Sequence, residues 1–228
     1  MILGNVWFLS HNGIKYFVGN IKMSTYQSTL FAREESIFVA DYSIRRIQYQ
    51  EALPFILNIH YAKRVPSTIQ YVYGLFQQQK LVGIIAYSIP ASASLCEGVA
   101  GKSNKNLVIE LSRLVLKNNK KNEASILIGA SFKLLPKPKI IVSYADTKEK
   151  HLGVVYQATN FMFTGTTKER TDMAGADGKH SRHHLGDATN RVHRSAKHRY
   201  IYVIGDKRDK KLLTKQINYK VQEYPKIN

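Results

Sequence analysis

The sequence predicts an α/β (α+β) fold, a mixed central sheet flanked by helices. Residues 1–40 form an N-terminal β-hairpin extension and 41–228 the main domain. Three observations predict this. Short β-rich runs recur along the whole chain, three helical stretches interrupt them, and in the second half strands and helices alternate as they do in parallel sheets with crossover helices. Apolar residues make up 44% and charged residues 22% of the 228, enough to bury a core and unlike a disordered chain.

In VWFLSHNGIKYFVGNIKM two β-rich runs flank Asn12-Gly13, a dipeptide suited to the positive φ values of a tight turn, so a hairpin is expected there. Residues 24–36 are polar and irregular, and IFVADYSIRRIQ is strand-like again. In EALPFILNIHYAKR, Leu53, Ile56 and Ile59 fall at helical spacing, with Pro54 tolerable only in the first turn. That is a short amphipathic helix ending near His60-Tyr61. YVYGLFQQ and KLVGIIAYSIP, separated by a Gln-rich turn, make an antiparallel pair, and PASASLCEG reads as a Ser/Ala-rich loop. LVIELSRLVL is a strand, and NEASILIGASFKLL is a helix with Asn122 available as its N-cap. IIVSYAD is a nearly all-apolar strand, which implies burial on both faces. HLGVVYQATN is a helix, and FMFTGT and HRYIYVIG are the last strands. Between those two, residues 165–198 hold four glycines and five of the eight histidines without an apolar period, which predicts a long exposed loop.

Lys and Arg number 34 against 16 Asp and Glu, for a net charge of +18. The excess is concentrated: residues 1–100 carry 8 basic and 5 acidic groups, residues 101–228 carry 26 and 11. A polyanion that meets the second half is the direct reading, because each neutralised phosphate releases counterions. A nucleic acid is the expected partner. The histidines at 180, 183, 184, 193 and 198 match no metal-ligand spacing and are mixed with Arg and Lys. The loop therefore reads as a basic arm that orders along a phosphate backbone, through Arg182, Arg191, Arg194, Lys197 and Arg199, or as plain disorder. The longest apolar run, Leu81 to Ala86, is far short of the roughly 20 residues of a membrane span. MILGNVWFLSHNG lacks the basic region and cleavage site of a signal peptide, so a cytoplasmic chain without membrane partners is expected. Cys96 alone excludes a disulfide framework or a cysteine-rich metal cluster.

The order of elements resembles the acyltransferase fold of the GCN5-related N-acetyltransferases (GNAT). VVYQATNFMFTG places Tyr156 five residues before Phe161, with Asn160 where that superfamily usually has glycine. The resemblance implies a tyrosine that protonates the departing thiolate of coenzyme A. More specifically, ELSRLVL, VSYAD, HLGVVYQATN, HRYIYVIGD and YKVQEYPK, with HYAKR and PASASLC upstream, resemble the Mom family of phage-encoded DNA adenine-modification proteins. That resemblance runs from about Ile44 to Lys226. It implies conversion of the exocyclic amino group of adenine in DNA to a carbamoylmethyl derivative, which shields phage DNA from host restriction in the bacterial cytoplasm. One departure stands out. GNAT enzymes cradle the coenzyme A pyrophosphate with an Arg/Gln-x-x-Gly-x-Gly/Ala loop at a helix N-terminus, where glycine lets backbone N–H groups approach. This chain has KNNKKNEASILIGAS there, and Gly129 alone is not that motif, although three lysines could hold phosphates. The donor is therefore open between a coenzyme A thioester and a glycine-derived, aminoacyl donor carried on transfer RNA.

The adenine amino group is a poor nucleophile, because its lone pair is delocalised into the ring, so a positioned carboxylate is needed. Asp146 ends the strand IIVSYAD, and carboxyl ends of strands are where α/β folds place ligands. Its alternative role is an N-cap for the segment near Lys148. Tyr144, on the same side of the strand, could stack on adenine or hold the donor. Tyr156 is the candidate acid or else a core tyrosine. In ELSRL, Glu110 and Ser112 share one face and Leu111 and Arg113 the other, which suggests a cleft lining or a buried pair. Arg113, Gln157 and Asn160, with His60, Tyr61 and Tyr73, complete the candidate substrate contacts. His60 and Tyr61 end a helix, where a His makes a favourable dipole contact. With Asp146 they are ligand types suited to iron, which makes iron a candidate cofactor. Tyr73, Tyr87, Tyr144 and Tyr156 could hold a base flipped from the duplex. Cys96 lacks a neighbouring base and reads as a small buried or loop residue. A homodimer is compatible with the sequence. Two other readings stand beside the enzyme: a non-catalytic basic DNA-binding protein, and an acetyltransferase of a protein or small amine, against which the missing glycine-rich loop argues.

Overall fold

The computed structural model describes residues 8–11, 14–17, 35–66, 68–173 and 191–226. In chain order the strands are β1 (Phe8–His11), β2 (Ile14–Phe17), β3 (Ser36–Val39), β4 (Tyr42–Arg46), β5 (Ile69–Gln77), β6 (Lys80–Ser88), β7 (Val108–Leu116), β8 (Lys139–Asp146), β9 (Met162–Thr166), β10 (Arg170–Met173), β11 (Arg191–Arg194) and β12 (Lys197–Ile204). The helices are α1 (Tyr49–Pro54), α2 (Ala93–Asn104), α3 (Glu123–Leu134), α4 (Val154–Ala158) and α5 (Lys207–Lys215). The chain divides into two compact units, one of residues 1–65, 69–87 and 113–136, the other of 66–68, 88–112 and 137–228. The mixed α/β class expected from the sequence is the one observed.

In the first unit the strand order is β1-β2-β3-β4-β5-β6. The expected N-terminal hairpin forms, with His11 opposite Ile14; Asn12-Gly13 itself and the polar stretch 24–34 lie outside the described residues. IFVADYSIRRIQ is two strands rather than one. The chain reverses at Ala40, whose φ is 49°, so that Val39 faces Tyr42. An Ala-Asp turn carries no glycine to mark it in the sequence. Gln78 and Gln79, with φ of 47° and 64°, make the tight turn between β5 and β6. Pro54 sits six residues into α1, not in its first turn. A π-helical turn, Phe55–Ile59, follows it and closes with the His60 N–H on the Phe55 carbonyl at 3.0 Å; the wider turn takes up the register that the missing proline N–H breaks. Ile47, Ala52, Phe55, Ile56, Val72, Phe76 and Ile84 form the core here. On α3, Leu127 and Ile128 are fully buried, and Ser131 shares a 2.6 Å hydrogen bond with the Tyr87 hydroxyl.

In the second unit the order is β7-β8-β12-β9. The first part of β7 runs parallel to β8, and β12 is antiparallel to both β8 and β9. Ile140, Ile141 and Val142 have no exposed surface, as a strand covered on both faces requires. Val108, Ile140, Val142, Ile201 and Val203 share one face and pack on Cys96, Val99 and Ala100 of α2 and Leu213 of α5. The Ser/Ala-rich stretch is not a loop: Ser92 caps α2 by accepting the Leu95 N–H at 3.1 Å, and the small residues after it are helical. Helix α5 was not expected either. Its capping box, Asp206 with Asp209, holds a segment in which Leu213 is the buried residue, too faint an apolar stripe to read. Residues 165–198 are not simply a loop, since β10 and β11 form an antiparallel ribbon with Arg170 opposite Arg194, while 174–190 lie outside the described residues. After α5 the chain runs along β9: the Gln222 N–H donates to the Phe163 carbonyl at 2.9 Å and the Tyr224 hydroxyl to the Phe161 carbonyl at 2.8 Å. No helix among the described residues is long and apolar enough to cross a membrane.

Candidate active site

The parallel ladder of β7 and β8 has three rungs, the last pairing Glu110 with Val142. Beyond it the Ser143 hydroxyl donates to the Leu111 carbonyl at 3.0 Å. Side chains take over from backbone rungs as β8 nears its carboxyl end, the part of a strand beside which α/β sheets receive ligands, while β7 runs on to Leu116. Strand alternation then fixes who faces whom. Glu110 and Ser112 follow Val108 on one face of β7, and Tyr144 and Asp146 follow Val142 on β8, on the face packed by α2 and α5.

Arg199 of β12 lies directly across from Tyr144. Its Nε donates to the Thr164 hydroxyl at 3.0 Å and its Nη2 to the Thr164 carbonyl at 2.8 Å, while the Tyr219 ring covers the guanidinium at 3.3 Å. Burial drives the Tyr144 phenol far above its ordinary value, the charge of Glu110 adds to that, and Arg199 opposes it. Tyr144 is thus a neutral hydrogen-bond donor at neutral pH. Burial likewise raises the Cys96 thiol, with Glu110 and Glu97 contributing, so Cys96 is a packed helix residue without an activating base.

Asp146 is held more tightly than the sequence implied. Burial pushes its carboxyl up, but the Ser195 hydroxyl at 2.5 Å, the Lys197 ammonium at 3.0 Å and the Lys148 N–H at 3.0 Å outweigh that and keep it below the usual carboxylate range. The Lys148 contact is the cap-like role foreseen as its alternative. Ser195 ties β8 to the turn that links the β10–β11 ribbon to β12, and Lys197 ties it to the start of β12.

Tyr156 is not brought together with Tyr144. It packs on Tyr200 and Phe161, with ring centroids 5.2 and 5.3 Å away, and Tyr200 points to the opposite face of β12 from Arg199. Gln157 donates to the Leu152 carbonyl at 3.0 Å and lines a cavity of about 590 Å³ with Phe163, Gln222 and Tyr224. Asn160 follows the C-cap of α4 at φ 62°, a left-handed position that explains why glycine suits it.

The remaining candidates lie in the first unit. His60 and Tyr61 are neighbours with ring centroids 4.4 Å apart, and His60 Nδ1 accepts the Ala62 N–H at 3.1 Å. Tyr73 is 2% exposed, its phenol pushed up to about 12 by burial against the pull of Arg46, and its ring meets Tyr87 edge-on at 6.3 Å. Both are core tyrosines rather than open stacking platforms. Arg113 donates from Nε to the Arg64 carbonyl at 3.2 Å. Among the described residues no group of three or more His, Cys, Asp or Glu could hold a metal ion, so the iron expectation finds no support.

Of the expected DNA contacts, Arg191 is exposed on β11, Arg194 reaches Asp172 at 3.3 Å, and Lys197 pairs with Asp146. Arg199 does not belong to that surface, because it sits beneath Tyr219; its place two residues before the core position Ile201 was the signal that it faces inward. Arg182 lies outside the described residues. Tyr219 was not singled out in the sequence, and no local pattern marks it.

The start of α3 does not suit a diphosphate. Glu123 is fully buried there, its Oε2 accepting the Lys120 N–H at 2.8 Å and its Oε1 the Tyr42 hydroxyl at 2.9 Å. Asn122 occupies the cap position with φ 68° and makes no side-chain cap, contrary to expectation. The lysine side chains at 117, 120 and 121 are exposed, and Lys120 Nζ reaches Gln77 at 3.1 Å.

A curated relative and a family model agree on one family. Methylcarbamoylase mom of Escherichia phage Mu is 27% identical over 196 residues, covering 77% of this chain and 80% of that protein. Among solved structures, the chain is similar to an N-acetyltransferase from Staphylococcus aureus Mu50, with TM-score 0.44 and 15% identity over 72% of this chain and 99% of that one. It is also similar to Arabidopsis thaliana NAA60 in complex with acetyl-CoA, with TM-score 0.45 and 12% identity over 72% and 98%. The model of the Mom protein family matches residues 41–226, most of both described units, and the chain belongs to that family.

Proposed function

We propose that this chain is a transferase that converts the exocyclic amino group of adenine in duplex DNA to a carbamoylmethyl derivative, protecting phage DNA from restriction in the host cytoplasm. The observation that carries the reading is the polar set where β7 leaves its pairing with β8: Glu110, Ser112 and Tyr144 on one face, with Arg199 across from Tyr144. A protein that only binds DNA has no use for such groups on core strands. Membership of the Mom family, and the name methylcarbamoylase borne by the phage Mu relative, support the choice of reaction.

The adenine must leave the stack to be reached, at a cost of a few kcal/mol. As the bond between its amino nitrogen and the donor carbon forms, the nitrogen loses a proton to a carboxylate and the carrier departs with the electron pair of the broken bond. Glu110, on the face shared with Tyr144, is the carboxylate assigned to the proton; that of Asp146 serves Lys197 and Ser195 and has a reduced proton affinity. Tyr144, a neutral phenol, donates a hydrogen bond to the atom of the carrier that departs with the electron pair, and Arg199, held by Thr164 and Tyr219, keeps a fixed positive charge beside it. Arg191 and the other cations of the ribbon meet the phosphates.

Mass spectrometry of nucleosides from the DNA of bacteria expressing the protein tests the proposal. A modified deoxyadenosine is expected. Ordinary nucleosides alone, apart from those made by the host's own methylases, would leave a DNA-binding protein on a transferase scaffold.

A further inference from the structure

A helix N-terminus that cradles a diphosphate does so with backbone N–H groups left open to the ligand and with the positive end of the helix dipole. In this chain that position is filled from within. Glu123, the first residue of α3, folds its carboxylate back so that Oε2 accepts the Lys120 N–H at 2.8 Å, while its own N–H donates to the Lys120 carbonyl at 3.2 Å. The two residues thus close a reciprocal turn over the helix end. The Tyr42 hydroxyl, from the first residue of β4, seals the other carboxylate oxygen at 2.9 Å. Asn122 carries φ 68° to make the turn, so the backbone is shaped around the carboxylate.

A carboxylate with no exposed surface is costly to bury unless its oxygens are satisfied, and both of these have donors. It gains the same dipole that a phosphate would use. A bound diphosphate would have to displace Glu123, strip its partners and sit against its negative charge.

We infer that Glu123 is a built-in substitute for the diphosphate anion, and that the donor of this transferase is a group whose carrier places no diphosphate at the N-terminus of α3. This narrows the donor class to one recognised through something other than a nucleotide diphosphate at that helix. It rests on the transferase reading only in calling the bound molecule a donor.

The test compares coenzyme A with pantetheine, which lacks the diphosphate and nucleotide, by calorimetric titration of the full chain. A cradled diphosphate, with several charge-assisted hydrogen bonds, raises affinity on the order of a hundredfold. The wild-type protein should show a preference for coenzyme A well below that, and Glu123→Ala should raise the preference about tenfold or more by opening the seat. Should the alanine variant not fold, Glu123→Gln, which removes the charge and keeps the shape, is expected to raise it several-fold. A preference left unchanged by the folded variant, including binding of neither compound by either protein, overturns the inference. Nucleoside analysis of DNA from cells expressing the wild type is the separate readout of function. No modified adenine alongside a gain in coenzyme A preference would sink the functional reading alone, and modified adenine with an unchanged preference would sink this one alone.

Discussion

Replacing Asp146 with asparagine separates a clamp from a base. The amide keeps the shape and can still accept from the Lys148 N–H, but it presents no charge to the Lys197 ammonium 3.0 Å away and offers Ser195 a weaker acceptor. A charge-assisted hydrogen bond contributes about 1.5–3 kcal/mol when well shielded. The Lys197 side chain is 38% exposed and that of Asp146 12%, so water screens part of the pair. A loss of about 1–2 kcal/mol is expected in all, or about 3–6 °C in the melting temperature of a chain this size. The pH dependence has a definite sign. A carboxyl whose folded value lies below its ordinary one stabilises the fold above the ordinary value, 3.8, and loses that contribution as the pH falls through the folded value. The gap between wild type and variant should therefore be constant well above 3.8 and shrink steadily as the pH falls below it. Equal melting at pH 7 refutes the clamp, and a gap that does not shrink as the pH falls below 3.8 refutes its ionic origin. At a temperature where both are folded, modification should fall less than about tenfold in Asp146→Asn, and by about 10²–10⁴ in Glu110→Gln. The reverse ranking returns the base to Asp146.

DNA affinity should fall linearly with the logarithm of salt concentration, by about 0.9 log units per phosphate contact. Fluorescence anisotropy with a duplex should show the slope shrink by about one in Arg191→Ala and stay unchanged in Arg199→Met, whose guanidinium lies beneath Tyr219. Equal flattening in the two variants would contradict the inward placement of Arg199. Gly153→Ala should destabilise by about 2–4 kcal/mol in urea titration, because φ is 71° and a new Cβ would come within 2.4 Å of the Tyr200 ring. A loss under about 0.5 kcal/mol would mean that α4 shifts freely.

Features carried by a local signal were legible. Asn12-Gly13 marked a hairpin, the unbroken apolar run of IIVSYAD marked a strand buried on both sides, and the period of NEASILIGASFKLL marked α3. Strand alternation also grouped Glu110 with Ser112 and Tyr144 with Asp146. What stayed hidden depends on partners distant in sequence or on side chains that replace a usual signature. Ser92 turns a small-residue stretch into α2 through a cap alone. Asp146 looks like an available base until Lys197, 51 residues later, is folded against it. Glu123 looks like an ordinary first-turn acid, since its engagement by Tyr42 crosses 81 residues. Tyr156 has the spacing of a catalytic tyrosine, but the face it occupies is set by β12 pairing, which its own segment does not encode.

The C-terminal run along β9 has a consequence for association. β9 ends the strand order of the second unit, and a bare outer strand is a template on which strands of other molecules can add. Gln222 and Tyr224 take two carbonyls of this margin, at Phe163 and Phe161, for contacts within the chain. A protein cut before Gln222 would keep its polar set at β7 and β8 yet present those acceptors to its neighbours, and it would be prone to self-assembly by strand addition during purification.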